Sequence, residues 1–275
     1  MSKVELYQGD CLEIMKKIPD NSIDMILCDL PYGKTHNQWD SVIPFDKLWN
    51  AYNRIIKDNG AIVLFGQGSF SAQLICSNLS EYRYTLIWNK VRTSGFLNAK
   101  RIPLPQHEDI MIFYKKLPTY NPQMWKGDKP SHRRGKQNEK KGLTQNKGKI
   151  YGKYVIYDDL PSTHTDMKYP TSIITIQNIV VNNVHPTQKP VELMEWLIKT
   201  YTNESETVLD NCMGSGSTGV ACKNLNRNFI GIELDEHYFK LAKERIKNIY
   251  AGTVETESYP DRPSEYVRIV NKKLF

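Results

Sequence analysis

Residues 29–33 of this chain, Asp-Leu-Pro-Tyr-Gly, combine groups that could do chemistry. They follow the apolar run from Met25 to Cys28, which is typical of a buried strand. An acid at a strand end often only caps a turn or a helix. Here the acid is joined by a proline that fixes the backbone and by a planar aromatic ring. Together these groups suit the binding of a flat ring that bears an amino group.

The exocyclic amine of adenine or cytosine is a poor nucleophile because its lone pair is delocalised into the ring. The Asp29 carboxylate and the Leu30 carbonyl could accept both N–H groups and favour a tetrahedral nitrogen that attacks an electrophilic methyl group. Pro31 would aim the carbonyl, and Tyr32 would stack on the base, which offsets the cost of unstacking it from a duplex. These four residues are the candidate catalytic residues.

A second group of residues lies near the other end of the chain. Gly214, Gly216 and Gly219 follow a predicted strand and open a helix, and Glu233 ends the next strand 19 residues after Gly214. Glycines let a ligand lie against the backbone, and a carboxylate so placed accepts hydrogen bonds from ribose hydroxyls. The pattern fits a nicotinamide or flavin dinucleotide, another adenosine-containing cofactor, or a tight turn needed only for packing.

The position of the glycine turn in the chain indicates how the fold is arranged. A dinucleotide-binding fold begins with this turn and needs several strand–helix units after it. Only one strand with a clear pattern follows Gly219, so the remaining strands must come from the N-terminal third. Ligands of open parallel sheets bind beyond the carboxyl ends of the strands. Asp29 and the glycine turn are therefore predicted to meet at one edge of the sheet.

Strand-like and helix-like segments alternate at both ends of the chain, and the strands are nearly continuous apolar runs. This pattern predicts an α/β fold with a mostly parallel central sheet and helices on both faces. The predicted strands are 4–7, 22–28, 61–65, 83–88, 109–114, 207–210 and 228–234, and the predicted helices are 12–18, 45–57, 69–79, 190–198, 217–224 and 237–249. Asn59-Gly60 is expected to stop the second helix.

Regular patterns fade between residues 117 and 183, and the positive charge is concentrated there. The whole chain has a net charge of +7, whereas Lys115 to Lys149 carries eleven Lys or Arg and two acids, a local balance of 11 − 2 = +9. Basic residues that neutralise phosphates release counterions and gain affinity for nucleic acid. A solvated flexible loop has the same composition, so charge alone leaves both interpretations open. We divide the chain into a catalytic half (1–116), a basic insertion (117–183), a cofactor-binding half (184–250) and a tail without a clear signal (251–275).

The bulk composition indicates a soluble globular protein, with 40% apolar and 24% charged residues. The five cysteines include no C-x-x-C pair, which argues against a disulfide framework or a zinc site. We therefore expect a cytoplasmic location and no metal cofactor. No window approaches the roughly 18 apolar residues of a membrane span, and the first residues do not resemble a signal peptide. No association with a membrane is expected.

Three stretches resemble motifs of the amino-directed DNA methyltransferases, enzymes that use S-adenosylmethionine. "DLPYG" resembles their D-P-P-Y motif, "DNCMGSGST" resembles D-P-F-x-G-S-G-T-T, and "HPTQKPVEL" at residues 185–193 resembles a further cofactor-contacting motif. The resemblance covers residues 3–116 and 184–249, and its order, with the cofactor motif last, resembles the β group. It implies a Rossmann-like methyltransferase fold with circularly permuted motifs. Residues 117–183 would be the target-recognition region.

The resemblance also implies roles for individual residues. Asp29, Leu30, Pro31 and Tyr32 would hold the base amine, and Glu233 would bind the cofactor ribose. The other implied cofactor contacts are Asp10 and Cys11 at the adenine, Thr187 and Lys189 at the carboxylate, and Asp29, Asp210, Gly214, Ser215, Gly216 and Ser217 along the rest of the site. The predicted DNA contacts, which rest on charge and position rather than on the resemblance, are Arg133, Arg134 and Lys136 in the basic insertion and Lys34 in the loop after the motif. Leu30 replaces the first proline of the family motif, Asn211 and Cys212 replace a Pro-Phe pair, and His185 is interpreted as structural.

The resulting prediction is a site-specific DNA methyltransferase that transfers a methyl group from S-adenosylmethionine to the N6 amine of a flipped-out adenine and releases S-adenosylhomocysteine. An aspartate at the start of the motif favours adenine, and N4-cytosine methylation is the alternative. A nicotinamide-dependent oxidoreductase would use only the glycine turn, and a non-catalytic DNA-binding module would use only the basic segment. Double-stranded DNA is the predicted partner. A homodimer and a cognate restriction endonuclease are left open.

Overall fold

The computed structural model describes residues 2–33, 41–127, 145–148, 152–155, 166–178, 188–248, 255–257 and 268–270. The helices are α1 (Cys11–Met15), α2 (Phe45–Ile55), α3 (Ser69–Ser77), α4 (Val191–Tyr201), α5 (Ser217–Asn224) and α6 (Glu236–Lys247). The strands are β1 (Val4–Gln8), β2 (Ile23–Cys28), β3 (Ile56–Gly66), β4 (Tyr82–Asn89), β5 (His107–Phe113), β6 (Trp125–Lys126), β7 (Gln145–Gly148), β8 (Gly152–Val155), β9 (Met167–Lys168), β10 (Ile173–Thr175), β11 (Thr207–Asp210), β12 (Asn228–Glu233), β13 (Glu255–Glu257) and β14 (Arg268–Val270). Within these ranges no helix is long and apolar enough to cross a membrane.

The central sheet joins strands from both ends of the chain. Its order is β1-β12-β11-β2-β3-β5-β4-β10. All neighbouring pairs are parallel except those that β5 makes with β3 and with β4. The two late strands β11 and β12 lie between the two early strands β1 and β2. This confirms the predicted α/β fold, in which the N-terminal strands complete the sheet of the C-terminal glycine turn.

The alternation of side chains along the strands covers both faces of the sheet. In β2, Met25 and Leu27 pack into one apolar cluster, whereas Ile26 and Cys28 pack into the other. Helices α4, α5 and α6 contribute to the first cluster, and α1, α2 and α3 contribute to the second. Helices on both faces leave the strand ends as the surface where polar residues can gather.

Helix α2 ends earlier than the sequence pattern predicts. It ends at Ile55, and Ile56 is already extended, with φ −73° and ψ 139°. The expected stop at Asn59-Gly60 was wrong, because Gly60 lies inside β3 and passes close to its neighbours. A Cβ at Gly60 would lie 2.7 Å from the Ile56 side chain and 2.9 Å from the Asp24 carbonyl. The glycine therefore serves close strand packing rather than the end of a helix.

Part of the segment assigned to the insertion joins the central sheet. Strand β10, at Ile173–Thr175, pairs with β4 and forms one edge of that sheet. The remaining short strands of the segment form two separate antiparallel pairs, β6 with β9 and β7 with β8. The tail, where no regular sequence pattern is visible, contains a third such pair, β13 with β14.

Candidate active site

The candidate residues from the two ends of the chain line one cavity of about 490 Å³. Asp29 follows β2, Asp210 ends β11 and Glu233 ends β12, and all three strands run in the same direction. Tyr32 and Glu233 therefore face the same space. The size is within the range of pockets that hold small ligands, about 300–1,000 Å³. The predicted meeting of Asp29 and the glycine turn at one edge is confirmed.

The order of the strands divides this cavity into two halves. The glycine turn lies above β11 and β12, and Asp10 lies at the end of the neighbouring β1. On the other side of Asp29, the cavity is lined by Phe65 near the end of β3, Glu108 near the start of β5 and Lys90 just after β4. We call these the glycine half and the outer half. Asp29 stands between them, so it can contact ligands in both.

The glycine turn is held by the carboxylate of Glu233. Its Oε2 accepts a hydrogen bond from the Gly214 N–H at 2.8 Å, and its Oε1 accepts one from the Asp235 N–H at 2.9 Å. Gly214 and Gly216 have φ of 50° and 79°, which favours glycine. A Cβ at Gly216 would also lie 3.0 Å from the Ala242 Cβ. The carboxylate oxygens keep further lone pairs, which could accept hydroxyl donors from a bound sugar.

Asp210 lies buried beneath this turn. Its Oδ2 accepts a hydrogen bond from the Thr218 hydroxyl at 2.6 Å, and its Oδ1 accepts one from the Cys212 N–H at 3.2 Å. Burial raises the pKa of Asp210 to about 7, although both hydrogen bonds favour the charged form. A carboxyl group with this pKa changes its charge close to neutral pH.

The raised pKa of Asp210 predicts how the stability of the protein depends on pH. A folded-state pKa of about 7 against an ordinary value of 3.8 gives stability that is present below 3.8 and lost as the pH rises through 7. Asp210→Asn should remove this loss, so the free energy of unfolding of the variant should rise relative to wild type between pH 5 and pH 8. Urea unfolding at several pH values measures it. If the difference in the free energy of unfolding between variant and wild type did not change with pH, the raised pKa of Asp210 would be contradicted.

The tetrapeptide loop is fixed by contacts on both sides. The Tyr32 hydroxyl donates to Asp29 Oδ1 at 2.8 Å, and the Tyr32 ring stacks on Phe70 with centroids 4.5 Å apart. The Leu30 side chain is 4% exposed and packs in the core, so this residue is held although it replaces a proline of the family motif. The loop from Asp29 to Tyr32 thus forms part of the cavity lining.

A buried cluster of charges supports Asp29, and sequence reasoning missed half of it. Lys189 donates to Asp29 Oδ2, lies 3.3 Å from Glu108 Oε2 and stands over the Phe65 ring. Lys90 lies 3.1 Å from Glu108 Oε1. Because β5 is antiparallel, its first residues meet the ends of the other strands here. The acids of "QHED" at the start of that strand were the available signal.

The pKa values within this cluster follow from burial and charge together. Burial raises the pKa of Asp29, and Lys189 opposes that rise. Burial would lower the pKa of Lys189, but the charges of Asp29 and Glu108 outweigh it and raise that pKa. For Glu108, burial is outweighed by the two lysines, which lower the pKa. Lys189 was predicted to meet a cofactor carboxylate, and that role stays a prediction beside the ion pairs seen here.

The other predicted cofactor residues lie along the glycine half. Asp10 caps α1 and accepts from the Leu12 N–H at 2.7 Å, and Cys11 lines the cavity next to it. The Ser215 hydroxyl donates to the Gln188 side chain at 3.3 Å. Ser217 Oγ is buried and lacks a hydrogen-bond partner among the described residues. An adenosine cofactor with an amino-acid group fits this set, because it has donors and acceptors for both the carboxylates and the serine hydroxyls.

Several predicted residues lie outside the described part of the chain. They are the DNA contacts Lys34, Arg133, Arg134 and Lys136, the cofactor contact Thr187, and His185. Their roles stay predictions.

Comparison with known proteins agrees with this geometry. The family model of the N6/N4 DNA methylases matches residues 23–244. The Type II methyltransferase M.HpaI of Haemophilus parainfluenzae is 28% identical over 265 residues, which cover 90% of this chain and 75% of that protein. The Type II methyltransferase M1.MboII of Moraxella bovis is 26% identical over 86% of this chain and 94% of its own length.

Two solved structures have the same fold. The M1.HpyAVI complex with S-adenosylmethionine superposes with a TM-score of 0.56 and 25% identity, over 88% of this chain and 99% of its own. The cytosine-N4-specific PvuII DNA methyltransferase superposes with a TM-score of 0.63 and 16% identity, over 91% of this chain and 89% of its own. The family match covers most of the chain, including both motifs that line the cavity. The chain therefore belongs to the N6/N4 DNA methylase family and is a site-specific DNA methyltransferase.

Proposed function

We propose that this protein transfers a methyl group from S-adenosylmethionine to the N6 amine of an adenine flipped out of double-stranded DNA. The observation that carries the proposal is the single cavity lined by both the Asp29–Tyr32 loop and the glycine turn with Glu233. The family match favours this activity over a nicotinamide-dependent oxidoreductase, which would leave the loop without a role.

The cofactor and the target base are proposed to bind in different halves of the cavity. The cofactor lies in the glycine half, with Glu233 at its ribose and Ser215 and Ser217 at its amino-acid end. When bound there, it supplies an electrophilic methyl group on a sulfonium. The target base enters the outer half, where the Asp29 carboxylate and the Leu30 carbonyl accept its two amine N–H groups. Asp29 then accepts the proton that the nitrogen loses.

The buried charge cluster favours the ionised form of Asp29, which this role requires. A buried carboxyl group tends to take up a proton, and a protonated Asp29 would lose an acceptor. The Lys189 ammonium opposes that tendency, and Glu108 and Lys90 hold Lys189 from the other side. The Tyr32 hydroxyl occupies one lone pair of Asp29 and leaves others for the amine. Lys189, Glu108 and Lys90 are therefore proposed as positioning residues.

The choice of base rests on Asp29, since an aspartate at the start of the motif favours adenine. N4-cytosine methylation is the second candidate. The cytosine-N4-specific PvuII enzyme shares the fold, so the fold does not separate the two bases. Both amines are exocyclic and need the same pair of acceptors, so the chemistry does not separate them either.

Mass spectrometry of nucleosides tests the proposal. DNA is taken from cells that lack methyltransferases and express the protein, with an Asp29→Asn strain as the control. We expect N6-methyldeoxyadenosine with the wild type and far less of it with the control. N4-methyldeoxycytidine instead would overturn the choice of base, and neither product in the presence of soluble protein would overturn the activity.

The basic segment is proposed to bind the DNA backbone. Replacing Arg133, Arg134 and Lys136 with glutamine should weaken binding and flatten its dependence on salt, by about one unit of slope for each phosphate that is no longer neutralised. Titration of fluorescent duplex DNA at several salt concentrations measures the slope. If the salt dependence of DNA binding did not change, the segment would be a solvated loop that does not contact the phosphates.

A further inference from the structure

The loop between β4 and β5, residues 90–106, borders the half of the cavity that is proposed to take the target base. Lys90 and Ser94, in the first part of this loop, belong to the cavity lining. Leu97 follows Ser94 by three residues, so their Cα atoms lie at most about 11 Å apart. The β4–β5 loop therefore stands at the mouth of the outer half. A duplex that delivers a base to this half must come within reach of the loop.

The tip of the β4–β5 loop exposes apolar side chains. Phe96 is 81% exposed and Leu97 is 97% exposed, and no other large apolar side chain of the described residues is as exposed as either. Ile102 adds a further exposed apolar side chain in the same loop. Single exposed apolar residues are normal on a protein surface, but a group of them beside a binding site often marks a contact with a partner.

Hydrogen bonds fix the backbone that carries these side chains. Gly95 has a φ of 72°, which favours glycine, and it precedes a single 3-10 turn at Phe96–Asn98. The Asn98 N–H donates to the Gly95 carbonyl at 2.9 Å, and the Ser94 N–H donates to the Pro105 carbonyl at 2.9 Å. The second of these bonds ties the two arms of the loop together. The exposure of the tip therefore belongs to a defined backbone conformation.

The charge of the β4–β5 loop favours DNA as the partner. The loop contains four basic residues and no acid. Lys90 pairs with Glu108, whereas Arg92, Lys100 and Arg101 are exposed to solvent. Basic and apolar side chains side by side match a duplex, which has phosphates outside and stacked bases inside. A second copy of the chain that met this loop with the same loop would instead oppose like charges.

We propose that the β4–β5 loop is a wedge, whose Phe96 and Leu97 side chains enter the base stack beside the target nucleotide and fill the gap that the flipped base leaves. Apolar side chains inserted at a base step replace part of the lost stacking and offset part of the cost of extruding the base. The wedge thus raises the fraction of bound duplex in which the base is flipped. The proposal rests on the proposed function, in which the base leaves the duplex to enter the outer half.

Single-turnover methylation with saturating enzyme tests the wedge. One duplex contains the sequence that the protein methylates in cells, mapped by sequencing, and a second carries an abasic nucleotide opposite the target base. The double variant Phe96→Ala, Leu97→Ala should methylate the fully paired duplex at least about tenfold more slowly than the wild type, because its flipped state lacks the wedge. On the second duplex it should come within about threefold of the wild type, because an unpaired base costs less to extrude.

Leu79→Ala is the matched control for the double variant. Leu79 is also an exposed leucine, at 67%, but it lies just before the start of β4, at the other end of that strand from the loop. This control should methylate both duplexes as the wild type does. Leu97→Ala alone should show the same dependence on pairing to a smaller degree, so the test does not rely on the fold of the double variant. Thermal unfolding and calorimetry with S-adenosylhomocysteine should give wild-type values for all three variants.

Two results would overturn the wedge. One is a rate that does not change on either duplex. The other is an equal loss on both duplexes, since the side chains would then act on a step other than base extrusion. If the double variant also turned a dimer into a monomer in sedimentation, either result would assign the tip to a contact between copies of the chain.

The product of the same reactions tests the proposed function separately. Nucleoside mass spectrometry should detect N6-methyldeoxyadenosine in the fully paired duplex. N4-methyldeoxycytidine that forms with the predicted dependence on pairing would contradict the proposed base and support the wedge, because the wedge is independent of which base is flipped.

Discussion

Asp29→Asn should lower kcat for methyl transfer by at least about 10²–10³-fold, with S-adenosylhomocysteine binding nearly unchanged. The substitution keeps the size of the side chain but removes the charge that accepts the amine proton, and a positioned proton acceptor typically contributes about 10²–10⁴-fold to the rate. The Glu233 and Gly214 contacts of the glycine half are untouched. Single-turnover methylation of DNA and calorimetry with the cofactor product measure the two effects separately.

Asp24→Asn is the matched control for this experiment. Asp24 is also a partly buried acid paired with a lysine, Lys57, at 2.6 Å, but it lies near the start of β2 and outside the cavity. The control should lose stability and keep its turnover. If Asp29→Asn kept kcat within tenfold of the wild type, Asp29 would not be the acceptor for the amine.

Lys189→Met should destabilise the fold by about 3–5 kcal/mol, the usual cost of removing one partner from a buried ion pair. The Lys189 side chain is 9% exposed and stands between two carboxylates. The loss should grow as the pH rises. In the wild type the lowered pKa of Glu108 contributes stability that is present above 4.5 and lost as the pH falls. Without Lys189, the ionised carboxylates of Asp29 and Glu108 repel each other, so their ionisation destabilises the folded protein.

Urea unfolding between pH 5 and pH 8 measures this effect. The second variant, Lys189→Met with Glu108→Gln, should recover part of the loss and most of its pH dependence, because one of the two facing charges is gone. Lys57→Met is the control, since Lys57 pairs with Asp24 but is 40% exposed. It should cost much less. A loss for Lys189→Met that is small and independent of pH would show that the cluster does not hold Asp29 through charge.

The sequence predicted those parts of the site that depend on parallel strands. Apolar runs that end in Asp29, Asp210 and Glu233 indicate strands whose carboxyl ends meet at one edge, and they do meet there. Glu108 was missed because it begins its strand, and only the antiparallel direction of β5 brings it to the same edge. Strand direction depends on tertiary packing, which the pattern of a single strand does not contain.

The ends of elements were predicted less well, for a related reason. Gly60 has the local signature of a helix stop, but it lies in a strand. Its backbone there packs closely against the Ile56 side chain and the Asp24 carbonyl. Strand β10 is three residues long, too short for a period to be visible, and it forms by pairing with β4. In both cases contacts distant in sequence decide the local structure.

A crystal structure of the protein with S-adenosylhomocysteine and a duplex containing its methylated site would show both halves of the cavity occupied at once. We expect the cofactor ribose at Glu233 and a flipped base whose amine contacts the Asp29 carboxylate and the Leu30 carbonyl. A base bound away from the Asp29 loop, or a cofactor outside the glycine half, would contradict the proposed mechanism.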